Sequence, residues 1–379
     1  MRGVAVTGVG YIKVKEYWER PLSALFAEAA LAAMKDAGTD RLDKLYVANM
    51  GSAVFQDQLN VGAVMADAIN KPHLPAVRVE AGCASGGVAF HEAVREVASG
   101  YSDCVMVGGV EKMSDVLPEA VTTLLAMAEE QEYTAYTGVT NAGMSALLHR
   151  LYLDNYASPE EVGMMAVKSH DHAVNCRHAQ YPFKMSIERA MASPMEADPI
   201  HSMECSGISD GAAALILTPL EGPGVEVAAS TVSTDYCSLC HREDPLILNS
   251  VKTASDKAYK MAGIEPGDIN LVEVHDDFTI NGVLSLEALS LCEKGKAAKL
   301  VANNSTDKNG VIPTNTFGGL KARGNPLGAT GIYQLAEVTL QLRGAAGEHQ
   351  VEDAKIGLAQ NMTGLASTCS VNILRRYEG

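Results

Sequence analysis

One cysteine stands where the chain is predicted to turn from a strand into a helix. Ala76–Glu80 alternates like a strand and Ala84–Ser99 reads as a helix that ends at Gly100, so that Cys83 lies in the turn between them. A thiol at the positive end of a helix has its pKa lowered from about 8.5, which favours the thiolate. A thiolate is a nucleophile for acyl transfer. The turn alone leaves open the alternative that Cys83 is a small buried residue in a helix–sheet contact.

The elements around this turn are typical of a layered α/β protein with buried sheets, because short β-rich runs alternate with helical patterns. The predicted strands are Gly3–Gly8, Leu45–Ala48, Ala76–Glu80, Ser102–Val107, Gly211–Leu217, Val225–Ser230, Asn270–Val274, Lys355–Gln360 and Thr368–Leu374. The predicted helices are Leu22–Ala37, Leu59–Ile69, Ala84–Ser99, Ser250–Ala262, Phe278–Leu291 and Asn325–Gly344. The order of elements recurs, which predicts two similar halves at residues 1–220 and 221–379.

Residues 113–200 interrupt this rhythm. They contain three further predicted helices, Glu119–Gln131, Asn141–Tyr156 and Pro159–Asn175. We interpret the region as an insertion, which either roofs an active site or decorates the surface.

Composition excludes several classes of function. The chain has 379 residues, 47% of them hydrophobic, and a net charge of −16 without a cluster of Lys and Arg, so nucleic acid is not an expected partner. No run approaches about 18 apolar residues, and the first residues resemble a strand and not a signal peptide, so we expect no membrane span. The eight cysteines at scattered spacings indicate a reducing, cytoplasmic location. Cys237–His241 has the spacing of a haem attachment motif, which we attribute to chance, and no metal site is expected.

Five segments, in order, resemble motifs of the thiolase superfamily, above all of the sterol-carrier-protein and archaeal type. Glu80–Phe90 (EAGCASGGVAF) resembles the motif that contains the nucleophile. The other four are Gly108–Ser114 (GGVEKMS), Ser209–Ala214 (SDGAAA), Glu273–Phe278 (EVHDDF) and Gly318–Gly331 (GGLKARGNPLGATG). The resemblance spans nearly the whole chain. It implies the five-layered αβαβα thiolase fold, made of two similar halves with an inserted loop region, and a dimer or tetramer.

The resemblance assigns the catalytic positions, and two of them depart from the family. Cys83 is the nucleophile; Asn325 replaces the histidine of the Gly-His-Pro motif, and Asp277 replaces the cysteine of His-Asp-Cys-Phe. His275 is then the remaining imidazole, and Cys83, His275 and Asn325 resemble the Cys-His-Asn set of ketoacyl-carrier-protein synthase III and chalcone-synthase-like enzymes. We expect Asn325 to be displayed by its turn as a hydrogen-bond donor. Asp277 is either a proton shuttle with a raised pKa or an acid that caps the next helix.

The same resemblance extends to binding residues. The C-terminal glycine-rich loop, which supplies a backbone donor to the thioester oxygen in the family, is reduced here to Asn361–Gly364. We therefore expect Gly364 and Gly324 at the oxyanion or substrate site, and Lys321 and Arg323 as contacts for coenzyme A. Coenzyme A is expected as a co-substrate, with no permanently bound cofactor.

The predicted function is reversible thiolytic cleavage or Claisen condensation of a 3-oxoacyl-CoA through an acyl-Cys83 intermediate. The altered acid/base residues favour a substrate bulkier than acetoacetyl-CoA, with an aromatic or branched acyl group. Two alternatives remain: a thiolase-like retro-aldol lyase or non-thiolytic acyltransferase, and an inactive scaffold subunit. The resemblance also implies a small zinc-ribbon/OB-fold acyl-CoA-binding partner and, in some members, a subunit like HMG-CoA synthase.

Overall fold

The computed structural model describes residues 2–379. Its strands are β1 (Val4–Tyr11), β2 (Lys44–Ala48), β3 (Ala76–Val79), β4 (Val105–Glu111), β5 (Met195–Ala197), β6 (Ile200–His201), β7 (Gly211–Pro219), β8 (Gly224–Thr234), β9 (Leu271–Glu273), β10 (Ile356–Thr363) and β11 (Thr368–Tyr377). Its helices are α1 (Leu22–Ala37), α2 (Ser52–Phe55), α3 (Val61–Ala68), α4 (Ser85–Ser99), α5 (Pro118–Ala126), α6 (Asn141–Asn155), α7 (Pro159–Ala173), α8 (Ile187–Met191), α9 (Asn249–Ala262), α10 (Thr279–Ala288), α11 (Ala297–Ala302) and α12 (Thr330–Leu342).

Nine of these strands hydrogen-bond in the order β3-β2-β4-β7-β1-β8-β11-β10-β9. The first five come from the first half of the chain and the last four from the second. They join through β1 and β8, which pair over only two residue pairs, whereas β8 and β11 pair along most of their length. The narrow junction lets the two parts of the sheet lie on opposite sides of a shared core.

That core contains α4 and α12. One apolar cluster includes Phe90 of α4, Ile332 of α12, Leu215 of β7 and Leu374 of β11, so both helices lie between strands of the two halves. Helix α1 covers the outer face of the first part, and α9 covers the outer face of the second. The predicted five-layered α/β fold is confirmed by this arrangement.

Helices α4 and α12 approach closely where they begin. A Cβ added to Gly86 would lie 2.8 Å from the backbone nitrogen of Gly331, and one added to Gly331 would lie 2.5 Å from the nitrogen of Gly87. Only glycine allows the two helix starts to come this close. The contact brings the turn that contains Cys83 near the turn that contains Asn325, because each turn immediately precedes one of these helices.

The inserted region has two roles. Val121 and Leu124 of α5 pack in the same apolar cluster as Cys83, so this helix roofs the nucleophile. Leu148 of α6 and Met165 of α7 instead pack on the core of the second half. The alternative of mere surface decoration is therefore wrong for these three helices.

The helix predicted from Asn325 begins later than expected. Gly319–Arg323 forms a π-helical turn and Leu327–Ala329 a 3₁₀ turn, and the regular helix starts only at Thr330. Within residues 2–379, no helix combines the length and the apolar character that a membrane crossing requires.

Candidate active site

Cys83 lies in a turn that requires glycine before it. Gly82 has a φ of +58°, and a Cβ there would lie 2.0 Å from Oγ1 of Thr363. The backbone nitrogen of Cys83 donates a hydrogen bond to the same Thr363 oxygen at 3.1 Å. The Cys83 side chain is 4% exposed and packs among Met50, Phe55 and other apolar side chains. Its sulfur lies 4.0 Å from the sulfur of Met50, and the Thr363 side chain interacts with the thiol and lowers its pKa in part.

The expected low pKa of Cys83 is wrong for this state of the protein. Burial raises the pKa of the thiol above its ordinary value, and the nearby carboxyl groups of Asp277 and Glu111 raise it further. A buried thiolate loses more solvation than the helix dipole returns. Cys83 is therefore a neutral thiol at rest, and its proton must leave as it attacks.

A chain of hydrogen bonds fixes the tautomer of His275. Asn361 accepts from the backbone nitrogen of Gly87 through Oδ1 at 3.1 Å, so its Nδ2 must face the Nδ1 of His275, 3.2 Å away. Nδ1 is thus the acceptor, and the ring proton is on Nε2. Burial and the charge of Arg323 lower the pKa of His275 to about 3, so the ring is neutral. Its buried Nε2 has no partner among residues 2–379, and this leaves an N–H donor for a substrate oxygen.

Asp277 has the electrostatic character of a proton shuttle. Burial, with a contribution from Asp276, raises the pKa of its carboxyl group to about 7, even though Oδ1 accepts from Asn281 Nδ2 at 2.8 Å and from the Phe278 nitrogen at 3.0 Å. A group with a pKa near neutrality can both take and return a proton. Its charge raises the pKa of the Cys83 thiol, as that of Glu111 does.

Asn325 is buried, and this corrects the expectation that its turn displays it. The residue is 5% exposed, and both ends of its amide are held. Oδ1 accepts from Thr330 Oγ1 at 2.7 Å, and Nδ2 donates to Ser206 Oγ at 3.2 Å. The Ser206 nitrogen donates to the backbone oxygen of Asp277 at 2.7 Å. Asn325 and Asp277 are thus joined through one serine, and one hydrogen of the Asn325 amide remains for a ligand.

The two predicted glycines shape the site in different ways. Gly324 has a φ of +115°, and a Cβ there would lie 2.4 Å from Val14, so the turn before Asn325 requires glycine. Gly364 faces Glu129, whose Oε1 would be 2.4 Å from an added Cβ. The hydrogen bond between this loop and Cys83 is made by Thr363 and not by Gly364.

Glu129 is a buried acid that the sequence did not indicate. Both of its carboxyl oxygens lack a hydrogen-bond partner among the described residues, and burial raises its pKa to about 7. Arg242 holds the other side of the same loop, because its Nη1 donates to the backbone oxygen of Leu365 at 2.7 Å.

Lys321 and Arg323 were expected to contact coenzyme A, but Arg323 is buried where it cannot reach this ligand. Its side chain has no exposed surface; Nε pairs with Glu337 at 3.1 Å and Nη1 donates to the Gly324 oxygen at 2.6 Å. The expectation for Arg323 is therefore wrong, and the residue instead braces the turn before Asn325. Lys321 is also buried, but it lines a cavity next to Asn325.

Two acids of the recognised motifs have architectural roles. Glu111 accepts from the backbone nitrogens of Met50, Gly51 and Gly328, and so ties β4 to the turn before α12. Asp210 accepts from the nitrogens of Tyr17 and Met113. The contributions of Thr363, Asn361 and Ser206 were missed, because each acts through a contact between segments far apart in the chain. The position of Asn361 and Thr363 inside the reduced glycine loop was the available signal.

Comparisons with known proteins show which family the chain resembles. The family model for the thiolase N-terminal domain matches residues 5–221, and the thiolase C-terminal domain-like model matches residues 231–376. The acetyl-CoA acetyltransferase of Methanothermobacter thermautotrophicus is 43% identical over 385 residues, covering 99% of this chain and 100% of that protein. The benzoylsuccinyl-CoA thiolase subunit BbsB of Thauera aromatica is 31% identical, covering 96% of this chain and 95% of that protein.

Among solved structures, the Ltp2-ChsH2(DUF35) aldolase superposes with a TM-score of 0.86 at 23% identity, covering 99% of this chain and 98% of that chain. This likeness concerns the fold alone. The chain belongs to the thiolase family. With the similarity to the acetyltransferase, this confirms the predicted class of enzyme, an acyl-CoA acyltransferase.

Proposed function

We propose that this protein is a thiolase that forms and cleaves 3-oxoacyl-CoA through an acyl group carried on Cys83. The observation that supports it most is the Nε2–H of His275, a buried donor that no described residue accepts from, held in a fixed tautomer by Asn361. Such a donor stabilises the oxyanion that forms when a thioester carbonyl is attacked.

The proposed reaction has two stages. Cys83 attacks the carbonyl of an acyl-CoA, its proton passes to Asp277, and the new carbon–sulfur bond forms as the bond to coenzyme A breaks. Asp277 returns the proton to the departing thiolate. In the condensation direction, Asp277 then removes a proton from the α-carbon of a second acyl-CoA. The resulting carbanion attacks acyl-Cys83, forming the carbon–carbon bond as the thioester to Cys83 breaks, and Asp277 then returns the α-proton to the Cys83 thiolate.

The acyl group is proposed to be bulkier than the acetyl unit of acetoacetyl-CoA. The side chains packed around Cys83 include Phe55, Val121 and Leu124, and this apolar surrounding suits a large acyl group. Coenzyme A is the proposed co-substrate, consistent with the similarity to the acetyl-CoA acetyltransferase.

Intact-mass spectrometry after incubation with acetyl-CoA, valeryl-CoA and benzoyl-CoA tests this function. We expect a mass increase equal to the acyl group, with the bulkier acyl groups reacting faster. Cys83→Ala should remove the increase. Cys104→Ala, which deletes another buried thiol in a different apolar cluster, should not. Acylation that persists in Cys83→Ala would contradict the proposal, and a preference for acetyl-CoA would contradict the bulkier substrate.

A second candidate is a retro-aldol lyase of the same fold. The observation that favours it is the absence, within the described chain, of a base hydrogen-bonded to the Cys83 sulfur, together with an amide at position 325. A lyase would cleave a 3-hydroxyacyl-CoA without free coenzyme A and would retain activity in Cys83→Ala. A thiolase would require both the thiol and coenzyme A.

We also propose that the protein works as a homo-oligomer with a small zinc-ribbon/OB-fold acyl-CoA-binding partner. One structural neighbour is a two-component assembly by its name, Ltp2-ChsH2(DUF35), and BbsB is named as a subunit. Light scattering of the purified chain should give a dimer or tetramer. Co-expression with a candidate partner should give one complex of fixed stoichiometry, and a monomer that never associates would contradict this proposal.

A further inference from the structure

A cavity of about 240 Å³ is separated from Asn325 by one side chain, and none of the buried side chains of the apolar cluster around Cys83 lines it. Its wall includes the side chain of Ser206, which receives the hydrogen bond from the Asn325 amide. The residue before Ser206, Cys205, forms a β-bridge with Phe278, which directly follows Asp277. The cavity is therefore one side chain away from the proposed catalytic groups.

The cavity wall includes a largely buried cation that forms no ion pair. Lys321 is 6% exposed, and among residues 2–379 no carboxylate lies within 4.0 Å of its ammonium nitrogen and no hydrogen bond to it is formed. The aromatic ring of Tyr181, 5.7 Å away, is its cation–π neighbour. Burial lowers the pKa of Lys321, while Cys205 and Asp276 raise it without forming an ion pair with it. A largely buried ammonium group without an ion pair is costly, and an anion in the cavity would offset that cost.

A second group in the cavity has unused hydrogen-bonding capacity. His170 Nδ1 lies 3.0 Å from the backbone oxygen of Phe183 and therefore has the proton, while Nε2 is buried and lacks a partner among the described residues. Burial and Lys321 lower the pKa of His170 to about 4, so it is neutral while the cavity holds no anion. An anion bound between Lys321 and His170 would favour the protonated imidazole, which then donates from Nε2.

We propose that this cavity binds a carboxylate at the far end of the acyl group, with Lys321 as the cation that receives it, so that the preferred substrates are acyl-CoA thioesters of dicarboxylic acids. This inference rests on the proposed function. A volume of about 240 Å³ accommodates part of a ligand, whereas whole-ligand pockets measure about 300–1,000 Å³, so the nucleotide of coenzyme A does not fit inside it.

The test is a comparison of glutaryl-CoA with valeryl-CoA, which have five acyl carbons each and differ by a carboxylate in place of a methyl group. Their dissociation constants are measured by calorimetry in Cys83→Ala protein, so that binding is read without acylation. We expect glutaryl-CoA to bind about ten-fold more tightly, the ratio that corresponds to about 1.4 kcal/mol.

The Lys321→Met substitution should reduce this ratio to near one by weakening the binding of glutaryl-CoA, and Lys321→Arg should retain much of the ratio. Lys257→Met removes a lysine from the exposed surface of α9 as a matched control, and the ratio should stay at its original value.

Each other outcome decides against the proposal. Equal binding of the two thioesters in the Cys83→Ala protein overturns it. An equal loss with both ligands in Lys321→Met shows that the lysine binds a phosphate of coenzyme A instead, which overturns the acyl carboxylate. Circular dichroism of each variant checks that it is folded. If Lys321→Met is not folded, the ratio of the two dissociation constants is measured in Lys321→Arg instead. The proposed function fails separately, if unmodified Cys83 is never acylated by any thioester while the glutaryl preference persists.

Discussion

The turns before α4 and α12 are built alike and present opposite chemistry. In each turn, a glycine with positive φ precedes a polar residue. The residues are Gly82 and Cys83 in one turn and Gly324 and Asn325 in the other. Each turn is followed by a helix that packs between the two halves. The helix starts then touch through Gly86 and Gly331. Two turns of similar build thus bring two candidate catalytic side chains to the same end of the shared core.

The difference lies in how tightly each side chain is held. The sulfur of Cys83 lies mostly among apolar groups, with Met50 and Thr363 as its neighbours, whereas both ends of the Asn325 amide are hydrogen-bonded. A nucleophile must change its bonding during the reaction, but a donor to an oxyanion works best when it is already oriented. The first turn is therefore suited to react and the second to stabilise. The four predictions below test this division.

The largest effect is expected at His275, the neutral donor that we propose for the reaction at Cys83. His275→Ala should slow acyl-enzyme formation by about 10²–10³-fold, the usual cost of one oxyanion donor. Single-turnover acylation followed by mass spectrometry measures it. His149→Ala is the matched control, since His149 is also buried with neither nitrogen paired among residues 2–379 but lies in α6. That control should affect stability more than rate. Near-normal acylation by His275→Ala would remove the basis for the proposed site.

A pH-dependent effect is expected at Asp277. A carboxylate is needed to take the proton of Cys83, and the pKa of Asp277 is raised to about 7, so acylation by the unmodified protein should rise as the pH increases through about 7. Asp277→Asn should slow acylation by about 10²-fold at pH 8, at the lower end of general-base effects. It should also abolish the rise near pH 7. A variant that keeps the same pH profile would show that another group takes the proton, and Glu111, with a pKa of about 7, would then be the next residue to test.

The effect at Asn325 tests whether the second turn stabilises charge. Asn325→Ala should slow catalysis by about 10²-fold, because the amide has one hydrogen left for the substrate. Asn325→His should be tolerated, and it should increase thiolytic activity by placing a base beside the thiol. Acylation rates of both variants at several pH values separate a donor from a base. If Asn325→Ala acylates at the normal rate, the amide only fastens Ser206 to Thr330.

The outcome at Asn325 shows which features the sequence could predict. Element order, glycine placement and the two polar residues follow local patterns, and α1 was predicted from Leu22 to Ala37, as observed. Burial of Asn325 did not follow, because Ser206 and Thr330 reach it from another segment and from the next helix. The Gly-Asn-Pro sequence predicts a turn, but it does not predict which other segments pack on that turn.

The same limit explains the error at Cys83. The effect of a helix dipole on Cys83 can be predicted from the sequence, because the sequence shows where the helix begins. Desolvation of the thiol by Met50, Phe55 and α5 depends on tertiary packing, which the sequence does not show. Desolvation decides the direction in which the pKa of Cys83 shifts. The contrast between Lys321 and Arg323, two residues apart and both basic, had no local signal either, since Glu337 of α12 decides which one is neutralised. The division into halves near residue 220 stays a prediction.

The smallest effect is expected at Thr363, which accepts the backbone N–H of Cys83 in the resting protein. A thioester oxygen that uses this N–H must displace the threonine hydroxyl. Thr363→Val keeps the side-chain shape and removes the acceptor, so acylation should become a few-fold faster, while stability falls by about 1 kcal/mol through the loss of one buried hydrogen bond. Thr363→Ser retains the hydroxyl and should leave both quantities near their original values. Stopped-flow acylation and urea unfolding measure the two effects on the same samples. If Thr363→Val slows acylation, the hydroxyl contributes to the reaction, and the turn of Cys83 is held as firmly for catalysis as the turn of Asn325.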